Sequence, residues 1–345
     1  MKRSLENIYF EITGSCNLLC RHCYVFDSDS RRARPDLLTP AIIEQVVRDA
    51  VPLGLTACTF TGGEILVRKD LVDILERAAA HVKALYLLTN LTLLTDAHIA
   101  AFKRLPIGLV STSIDGFSAS HDKLRGLDGA YNRTMTALSR LRAENIPVKV
   151  SVTVTPENFE EVTTLFERLD QQGVPSSIAR VTPIGRGLLA ATNGAEFDAQ
   201  YSLLLARRLG TALTRAQILG LSPPGESVGT HCGVGSSILY VLSDGEVGYC
   251  PTMTPVTDAR FRLGNVRERP IAAIWQDGAV FGESDMECET SKDCTYGSVC
   301  KGGCRANAFT ATGNPTACDA EMRKGYDALV KLARKPRAAP SYKIV

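Results

Sequence analysis

The sequence lacks the features that would direct it to a membrane, to secretion or to nucleic acid. Its 39 Lys and Arg nearly balance 37 Asp and Glu, so a net charge of +2 provides little attraction to polyanions. No apolar run approaches the ~20 residues of a membrane-spanning helix. The N-terminal MKRSLENIYFEITGSC contains no apolar core of signal-peptide length. We therefore expect a cytoplasmic protein with neither a nucleic-acid nor a membrane partner.

Cysteine, in contrast, is abundant, with 11 residues in the chain. In a reducing compartment such a density indicates bound metal more often than disulfides, and the odd number argues against complete pairing. Three cysteines lie within residues 16–23, and seven lie within residues 232–318. The remaining one, Cys58, lies among apolar and β-branched residues, which predicts a buried core cysteine without a chemical role.

About the first 190 residues alternate short β-rich runs with segments of helical periodicity, which predicts a parallel sheet with right-handed crossovers. Six strand–helix units fit this length, whereas a closed eight-unit barrel needs ~250 residues. The predicted fold class is therefore α/β, a partial (β/α)6 barrel with an open side. The predicted strands are residues 7–13, 57–60, 84–88, 107–114, 148–155 and 177–182.

A Ser-Pro-Pro-Gly break at residues 222–225 marks the predicted domain boundary. Residues 1–222 are assigned to the barrel, and residues 223–345 to a loop-rich, cysteine-rich domain with a C-terminal helix and tail. Helical periodicity weakens in the second domain, so bound metal is expected to provide stability that apolar burial does not. In parallel α/β folds, chemistry collects at the carboxyl ends of strands, so the strand-end loops are expected to line one pocket.

Cys16, Cys20 and Cys23 follow the first predicted strand with CxxxCxxC spacing. Three thiolates leave one iron of a [4Fe–4S] cluster without a protein ligand, and an open coordination position is what a catalytic metal requires. A structural zinc loop is the alternative, with His22 or a distant cysteine as its fourth ligand. The three cysteines alone leave both interpretations open.

Polar groups also follow later predicted strands. The Gly-Gly-Glu segment at residues 62–64 combines close backbone approach with an anionic partner for an ammonium group. Arg125 provides a guanidinium suited to a carboxylate. Asp115 and Asp122 are candidates for acid–base catalysis by location alone, and capping or turn chemistry accounts for them at least equally well.

These segments resemble the radical S-adenosylmethionine (SAM) superfamily in its CxxxCxxC loop and its Gly-Gly-Glu motif. The resemblance implies that the methionine part of SAM chelates the unique iron. One electron then cleaves SAM to methionine and a 5′-deoxyadenosyl radical, which removes hydrogen from the substrate. Leu91 occupies the glycine position of the family's strand-end Thr-Asn-Gly. The implied cofactor-binding residues are His22, Gly62, Gly63, Glu64, Asn90, Ser113 and Arg125.

The seven later cysteines resemble the SPASM extension, which binds two auxiliary [4Fe–4S] clusters beside a radical SAM barrel. Five residues separate Cys288 from Cys294, where the family usually has CxxC. A zinc ribbon would use four of the seven thiols and leave three over, so it explains their number poorly. The resemblance implies an outer cluster on Cys288, Cys294, Cys300 and Cys318, and an inner cluster on Cys232, Cys250 and Cys304 with its fourth ligand open.

The same resemblance implies a three-cluster enzyme that removes hydrogen from a peptide or protein, as ribosomal-peptide maturases do. The segment at residues 300–306, CKGGCRA, is most similar to that branch. The expected partner is an electron donor such as flavodoxin or ferredoxin. No leader-binding domain is expected before the first strand, so peptide binding would need either a separate leader-peptide-binding protein or direct recognition. Two alternatives stay open: a small-molecule substrate such as a tetrapyrrole or sugar-derived precursor, and a non-enzymatic iron–sulfur carrier or scaffold.

Overall fold

The computed structural model describes residues 4–26, 34–182, 184–190, 195–212, 233–234, 236–253, 261–277, 288–290, 292–300 and 302–334. The chain forms two compact units. The first comprises Met1–Thr192 and Gly233–Ser284, and the second comprises Asn193–Cys232 and Asp285–Val345. The chain therefore passes twice through each unit.

One nine-stranded sheet organises the first unit. Its strands are β1 (Asn7–Thr13), β2 (Ala57–Gly62), β3 (Ala84–Leu88), β4 (Ile107–Ser113), β5 (Val148–Val154), β6 (Ser176–Arg180), β7 (Ile238–Val241), β8 (Glu246–Gly248) and β9 (Arg262–Asn265). They are ordered β6-β5-β4-β3-β2-β1-β7-β8-β9. The first seven strands pair in parallel, and β8 and β9 join as antiparallel neighbours.

Helices connect the strands, and local sequence signals mark their starts. The Thr39 side chain accepts a hydrogen bond from Ile42 N–H, and Thr95 and His98 form a reciprocal capping box. No helix in the described ranges is both long and apolar enough to cross a membrane. The described α-helices are α1 (Pro40–Ala50), α2 (Leu71–Ala79), α3 (Asp96–Arg104), α4 (Ser118–Arg125), α5 (Ala130–Ala143), α6 (Phe159–Gln171), α7 (Gly187–Ala190), α8 (Ala195–Ala212), α9 (Ile271–Asp277), α10 (Gly297–Cys300), α11 (Arg305–Thr312) and α12 (Ala320–Arg334).

The two faces of the parallel sheet differ in chemistry. Each connection from β1 to β6 steps to the adjacent strand in the same direction, so right-handed crossovers place their helices on one face. That face buries apolar side chains, with Phe10 and Phe60 stacked at a ring-centroid distance of 5.8 Å. The opposite face carries half-buried Tyr86, Ser111 and Lys149. We call it the polar face.

The predicted partial barrel is confirmed, and its six strands lie within two residues of the predicted bounds. The division of the chain differs from the expected boundary at residues 222/223. Strands β7–β9, assigned by sequence to the second domain, extend the barrel sheet. The physical reason is that an open barrel leaves β1 with an unpaired edge, which β7 satisfies along Asn7–Phe10. Residues 213–232, around the expected boundary, lie outside the described part of the chain.

The second unit is built on α8 and α12, which pack around a small apolar cluster. Gly325 allows their close approach, since a Cβ there would lie 2.7 Å from Leu205 Cδ2. A cysteine of the predicted outer cluster belongs to this apolar packing. The cluster contains Ala206, Cys300, Tyr326 and Leu329.

Cys58 of β2 allows a direct test of the metal assignments. The residue is fully buried, and burial raises the pKa of its thiol. We expect Cys58→Ala to lower the free energy of unfolding by about 1 kcal/mol and to leave the iron content unchanged. Cys58→Ser should cost about 1–3 kcal/mol because it buries a hydroxyl. Urea denaturation and iron analysis measure both effects; iron loss in Cys58→Ala would identify Cys58 as a ligand.

Candidate active site

The loop after β1, residues 14–26, carries the CxxxCxxC motif, and we call it the cysteine loop. Main-chain hydrogen bonds hold it against the end of α4. Leu19 N–H donates to Arg125 O at 3.2 Å, and Arg21 N–H donates to Leu124 O at 2.9 Å. Backbone groups therefore position the loop, independently of any metal.

A segment after β6 holds the cysteine loop from another side. Gly187 N–H donates to Cys23 O at 3.2 Å, and Arg186 N–H donates to Phe26 O at 2.6 Å. The Arg186 side chain is buried, and its Nε donates to Cys20 O at 2.8 Å. Arg186 was not among the candidate residues predicted from the sequence. The feature that could have identified it is the Gly-Arg-Gly segment at residues 185–187, just after a predicted strand.

The three thiols of the cysteine loop share one electrostatic neighbourhood. Burial raises the pKa of Cys16 to about 12, and Cys20 and Cys23 raise it further. Burial also raises the pKa of Cys20, while Arg125, with Nη1 3.8 Å from Sγ, acts to lower it. Adjacent buried thiolates need a cation to offset their charge, and an all-thiolate donor set fits iron–sulfur ligation.

The described thiols are not arranged as a compact mononuclear site. Within the described ranges, no three His, Cys, Asp or Glu side chains are close enough together to hold one metal ion.

The Gly-Gly-Glu segment at the end of β2 lies directly against the cysteine loop. A Cβ at Gly63 would lie 2.3 Å from Ser15 O and 2.9 Å from Cys16 Cβ. Gly62 has a φ of +155°, and a Cβ there would lie 2.5 Å from Thr13 O. Glycine is therefore required for this approach of β2 to the loop.

Glu64 follows these glycines and is 1% exposed. Its Oε1 accepts hydrogen bonds from Leu66 N–H at 2.9 Å and the Thr89 hydroxyl at 2.5 Å, and Oε2 accepts one from Asn90 N–H at 2.6 Å. Burial raises the pKa of Glu64, and these three donors partly offset the effect. Because these donors are neutral, the carboxylate has no cationic partner among the residues that the structure describes, which suits the predicted contact with an ammonium group.

Asn90 connects the end of β3 to the cysteine loop. Its Nδ2 donates to Asn17 Oδ1 at 2.9 Å, and its Oδ1 accepts from the N–H and hydroxyl of Thr92. Leu91, at the family's glycine position, has a φ of +62° and is 1% exposed. Burial of the leucine, worth ~1.5–3 kcal/mol, offsets left-handed strain of ~1–2 kcal/mol. The cofactor contact of Asn90 stays a prediction.

Arg125 forms a buried ion pair with Asp115. Its Nε and Nη2 donate to Asp115 Oδ2 at 2.7 and 2.6 Å. Burial raises the pKa of Asp115, but the guanidinium together with His22, His121 and the Thr153 N–H more than offsets this, so the net shift is downward. The sequence suggested Arg125 as a ligand of the cofactor's carboxylate, and the carboxylate bound in the structure belongs to the chain itself. Nη1 faces Cys20 Sγ at 3.8 Å, and the cofactor contact of Arg125 stays a prediction.

The two acidic candidates have structural contacts. Asp115 Oδ1 accepts from Thr153 N–H at 2.9 Å, and its main-chain oxygen accepts from Asn158 Nδ2 at 2.5 Å. The Asp122 carboxylate accepts the N–H groups of Gly129 and Tyr131, both at 2.7 Å, at the start of α5. These contacts favour the capping alternative, and acid–base roles for both residues stay predictions.

His22 and Ser113 complete the predicted cofactor-binding set. Burial lowers the pKa of His22 to about 4, so its ring is neutral at pH 7. Its Nδ1 is buried without a hydrogen-bond partner among the residues that the structure describes. An unsatisfied buried nitrogen fits a polar group of a bound molecule. Ser113 ends β4 on the polar face, opposite Ser151 of β5.

The predicted outer-cluster cysteines lie close together in the second unit. Burial raises the pKa of Cys300 to about 11, and the nearby charges of Asp319, Cys318 and Cys288 raise it further. Burial raises the pKa of Cys318, and Cys288 and Cys294 also contribute. Cys288 therefore joins the other three despite its unusual spacing from Cys294. Their role as ligands stays a prediction.

The predicted inner-cluster cysteines are divided between the units. Cys250, in the first, accepts a hydrogen bond to Sγ from Met253 N–H at 3.3 Å. Cys304, in the second, donates its N–H to Asp319 Oδ2 at 2.8 Å. Cys232 lies outside the described residues. The inner cluster and the total of three clusters stay predictions.

Comparison with known proteins agrees with this geometry. The profile of the Radical SAM superfamily matches residues 10–169, and that of SPASM, an iron–sulfur cluster-binding domain, matches residues 232–305. The AdoMet-dependent heme synthase of Methanosarcina barkeri is 30% identical over 336 residues, covering 89% of this chain and 93% of the relative.

The chain belongs to the radical SAM superfamily and carries a SPASM domain. Mycofactocin maturase MftC of Mycolicibacterium smegmatis is also similar, at 28% identity over 96% of this chain and 86% of the relative. The solved structure of anSMEcpe with bound AdoMet has a TM-score of 0.71 at 17% identity, covering 97% of this chain and 96% of that one. The predictions of the open α/β fold and of a radical SAM enzyme are confirmed.

Gly63→Ala tests the packing of the radical SAM cysteine loop. The added methyl group would overlap Ser15 O, so we expect the loop to move and the iron content to fall by about four atoms per chain. Gly173→Asn is the control, because Gly173 has a φ of +63° with open space around it and asparagine tolerates that conformation. Iron and sulfide analysis, with circular dichroism for folding, measures the effect. Full iron in Gly63→Ala would contradict the close approach.

Proposed function

We propose that this radical SAM enzyme cleaves SAM reductively and removes hydrogen from a peptide or protein substrate. The observation that carries the first part is Glu64, directly after the glycines that contact the cysteine loop. Its buried carboxylate has only neutral donors among the described residues. When bound, the cluster and SAM supply an electron and a 5′-deoxyadenosyl radical, the species that takes hydrogen from the substrate.

The chain's own residues would hold and orient these groups. Cys16, Cys20 and Cys23 would bind the cluster as thiolates. Glu64 would pair with the ammonium group of SAM, which would offset the upward effect of burial on its pKa. His22 would offer its unpartnered Nδ1 to the cofactor. Arg125 would remain paired with Asp115 and would face the cluster loop through Nη1.

The peptide substrate is supported by MftC, a maturase similar over 96% of this chain. The polar face adds room for a polar substrate, since Tyr86, Ser111 and Lys149 are only half-buried there. Lys149 makes no ion pair with the residues that the structure describes. Its ammonium group is therefore available to a substrate carboxylate, such as an acidic side chain or a peptide C terminus.

A tetrapyrrole is the second candidate substrate. The observation that favours it is the 30% identity to an AdoMet-dependent heme synthase, which slightly exceeds the identity to MftC. A carboxylated tetrapyrrole would also satisfy Lys149, so the polar face alone does not separate the two substrates. The electron donor, flavodoxin or ferredoxin, and a leader-peptide-binding partner belong to the peptide proposal as expected partners.

Replacement of the loop cysteines tests the cofactor chemistry. We expect the variant with Cys16, Cys20 and Cys23 changed to alanine to lose 5′-deoxyadenosine formation completely under anaerobic reduction, because no cluster remains to deliver the electron. The auxiliary iron should stay. Cys58→Ala is the matched control and should keep both activity and iron. Liquid chromatography quantifies the nucleoside, and formation by the triple variant at the control rate would refute the assignment.

A competition between substrates tests the second part of the proposal. We expect a short precursor peptide encoded beside the gene to raise 5′-deoxyadenosine formation at least about tenfold over the substrate-free rate, with a mass change in the peptide. Lys149→Met should weaken the response to a substrate with a carboxylate, while Lys83→Met, at an exposed position, should not. Stimulation by a carboxylated tetrapyrrole and by no peptide would establish the second candidate instead.

A further inference from the structure

Arg305 is buried in the second unit with only part of its hydrogen-bonding capacity used. It begins α11, directly after Cys304, and is 3% exposed. Its Nη1 donates to the main-chain oxygens of Pro315 and Ala317, both at 3.0 Å. Its Nε and Nη2 are buried without a hydrogen-bond partner in the described part of the chain. Burying such a cation costs free energy unless an anionic acceptor takes its remaining hydrogen bonds.

The nearest carboxylate does not complete it. Asp319 is close enough for Arg305 to lower its pKa, although burial raises that pKa overall. Its carboxylate accepts the N–H groups of Cys304, Glu321 and Met322, which caps the start of α12. The hydrogen bonds of Asp319 therefore go to the main chain, and the free N–H groups of Arg305 point elsewhere.

The free side of the guanidinium lies beside a cysteine. A Cβ at Gly302 would lie 2.6 Å from Arg305 Nη2 and 2.8 Å from Cys288 Cβ. Gly302 therefore lies against both residues, and the space there is too small for a methyl group. Gly302 has a φ of +93°, which makes a side chain there strained as well as obstructive. The two carbonyl groups that accept from Nη1 belong to Pro315 and Ala317, and Cys318 follows Ala317 in the chain. Arg305 thus lies beside Cys288 and beside the segment that leads into Cys318, two of the four predicted outer-cluster cysteines.

We propose that Arg305 is the buried counter-cation of the outer auxiliary cluster and donates its Nε and Nη2 hydrogen bonds to cluster sulfur atoms. Four thiolates give such a cluster net negative charge in both redox states, and reduction adds to it. A buried cation with N–H donors therefore stabilises the reduced state more than the oxidised state and raises the reduction potential. The proposal rests on the proposed four-cysteine ligand set and is independent of the proposed substrate.

The planar guanidinium suits this position better than an ammonium. One nitrogen binds two carbonyls of the loop at residues 315–317, while the other two face the opposite direction in a fixed fork. Lysine would retain the charge but could not anchor the loop and donate to the cluster at once. A purely structural role would use Nη1 alone and would leave the potential of a loaded cluster unchanged.

A potentiometric titration of the reconstituted full-length protein, followed by electron paramagnetic resonance, tests the proposal. The outer-cluster signal is defined as the component absent from Cys294→Ala. At a fixed potential, we expect the ratio of reduced to oxidised outer cluster to fall about tenfold in Arg305→Met, a shift of about 59 mV for a one-electron couple. Arg305→Lys should give a smaller fall of roughly threefold, because it retains the charge.

Lys331→Met is the matched control. Lys331 is exposed on α12 of the same unit, and it makes no ion pair with the residues that the structure describes. Water screens its charge, so we expect the ratio to change less than roughly twofold. Iron analysis establishes that each variant is loaded; if Arg305→Met loses the cluster, Arg305→Lys decides by the same titration.

An unchanged potential in a fully loaded Arg305→Met or Arg305→Lys would overturn the counter-cation proposal. So would a shift in Lys331→Met as large as that in Arg305→Met, because it would assign the effect to charge at any exposed position. Full iron and an unaltered spectrum in Cys294→Ala would instead reject the four-cysteine ligand set. These results differ from any failure to find the substrate, which leaves the titration unaffected.

Discussion

The arrangement of the site depends on one buried ion pair, Asp115 with Arg125, at the carboxyl end of β4. Asp115 also accepts from Thr153 N–H of β5 and from Asn158 at the start of α6, and its own N–H donates to His121 of α4. Removing one partner of such a pair leaves an uncompensated buried charge, at about 3–5 kcal/mol. The ends of β4 and β5 are therefore held in a fixed position relative to α4 and α6.

The same arginine also contacts the cysteine loop. Its main-chain oxygen accepts from Leu19 N–H, and its Nη1 lies 3.8 Å from Cys20 Sγ. The position of the cysteine loop thus follows from the packing of β4, β5 and α4, and a preformed loop lowers the ordering cost of cluster binding. The glycines at the end of β2 fix the other side of the loop by close contact with Ser15 and Cys16.

Two buried carboxylates, one after β2 and one after β4, have opposite kinds of hydrogen-bond partner. Asp115 has a cation as its main partner, and the net effect on its pKa is downward. Glu64 has only neutral donors from Thr89, Leu66 and Asn90, and burial leaves its pKa raised. A carboxylate already paired with a guanidinium has little to gain from a second cation, whereas Glu64 gains a charge partner from an ammonium group. The difference explains why Glu64 is the better candidate for contact with SAM.

The sequence predicted what depends on local pattern. The six barrel strands, the CxxxCxxC loop and the Gly-Gly-Glu segment each have a periodicity or spacing that reads directly from the chain. The Asp115–Arg125 pair does not, because ten residues and a helix start separate the two partners and only tertiary packing shows which carboxylate the guanidinium meets. The extension of the sheet by β7–β9 was missed for a similar reason, since these strands have only three or four residues each. The unpartnered nitrogens of Arg305 could not be predicted either, because their burial depends on tertiary packing and not on the local sequence.

The second unit shows how a metal site and an apolar core can share residues. Cys300 is a predicted ligand and also packs with Ala206, Tyr326 and Leu329 between α8 and α12. As a neutral thiol, with a pKa raised to about 11, it behaves as a small apolar side chain in that packing. As a ligand it would be a thiolate, which is tolerated at the same place only if bound iron offsets its charge. Binding of the proposed outer cluster would therefore be coupled to the packing of the two helices through Cys300, and it would add to the stability that the small apolar cluster provides.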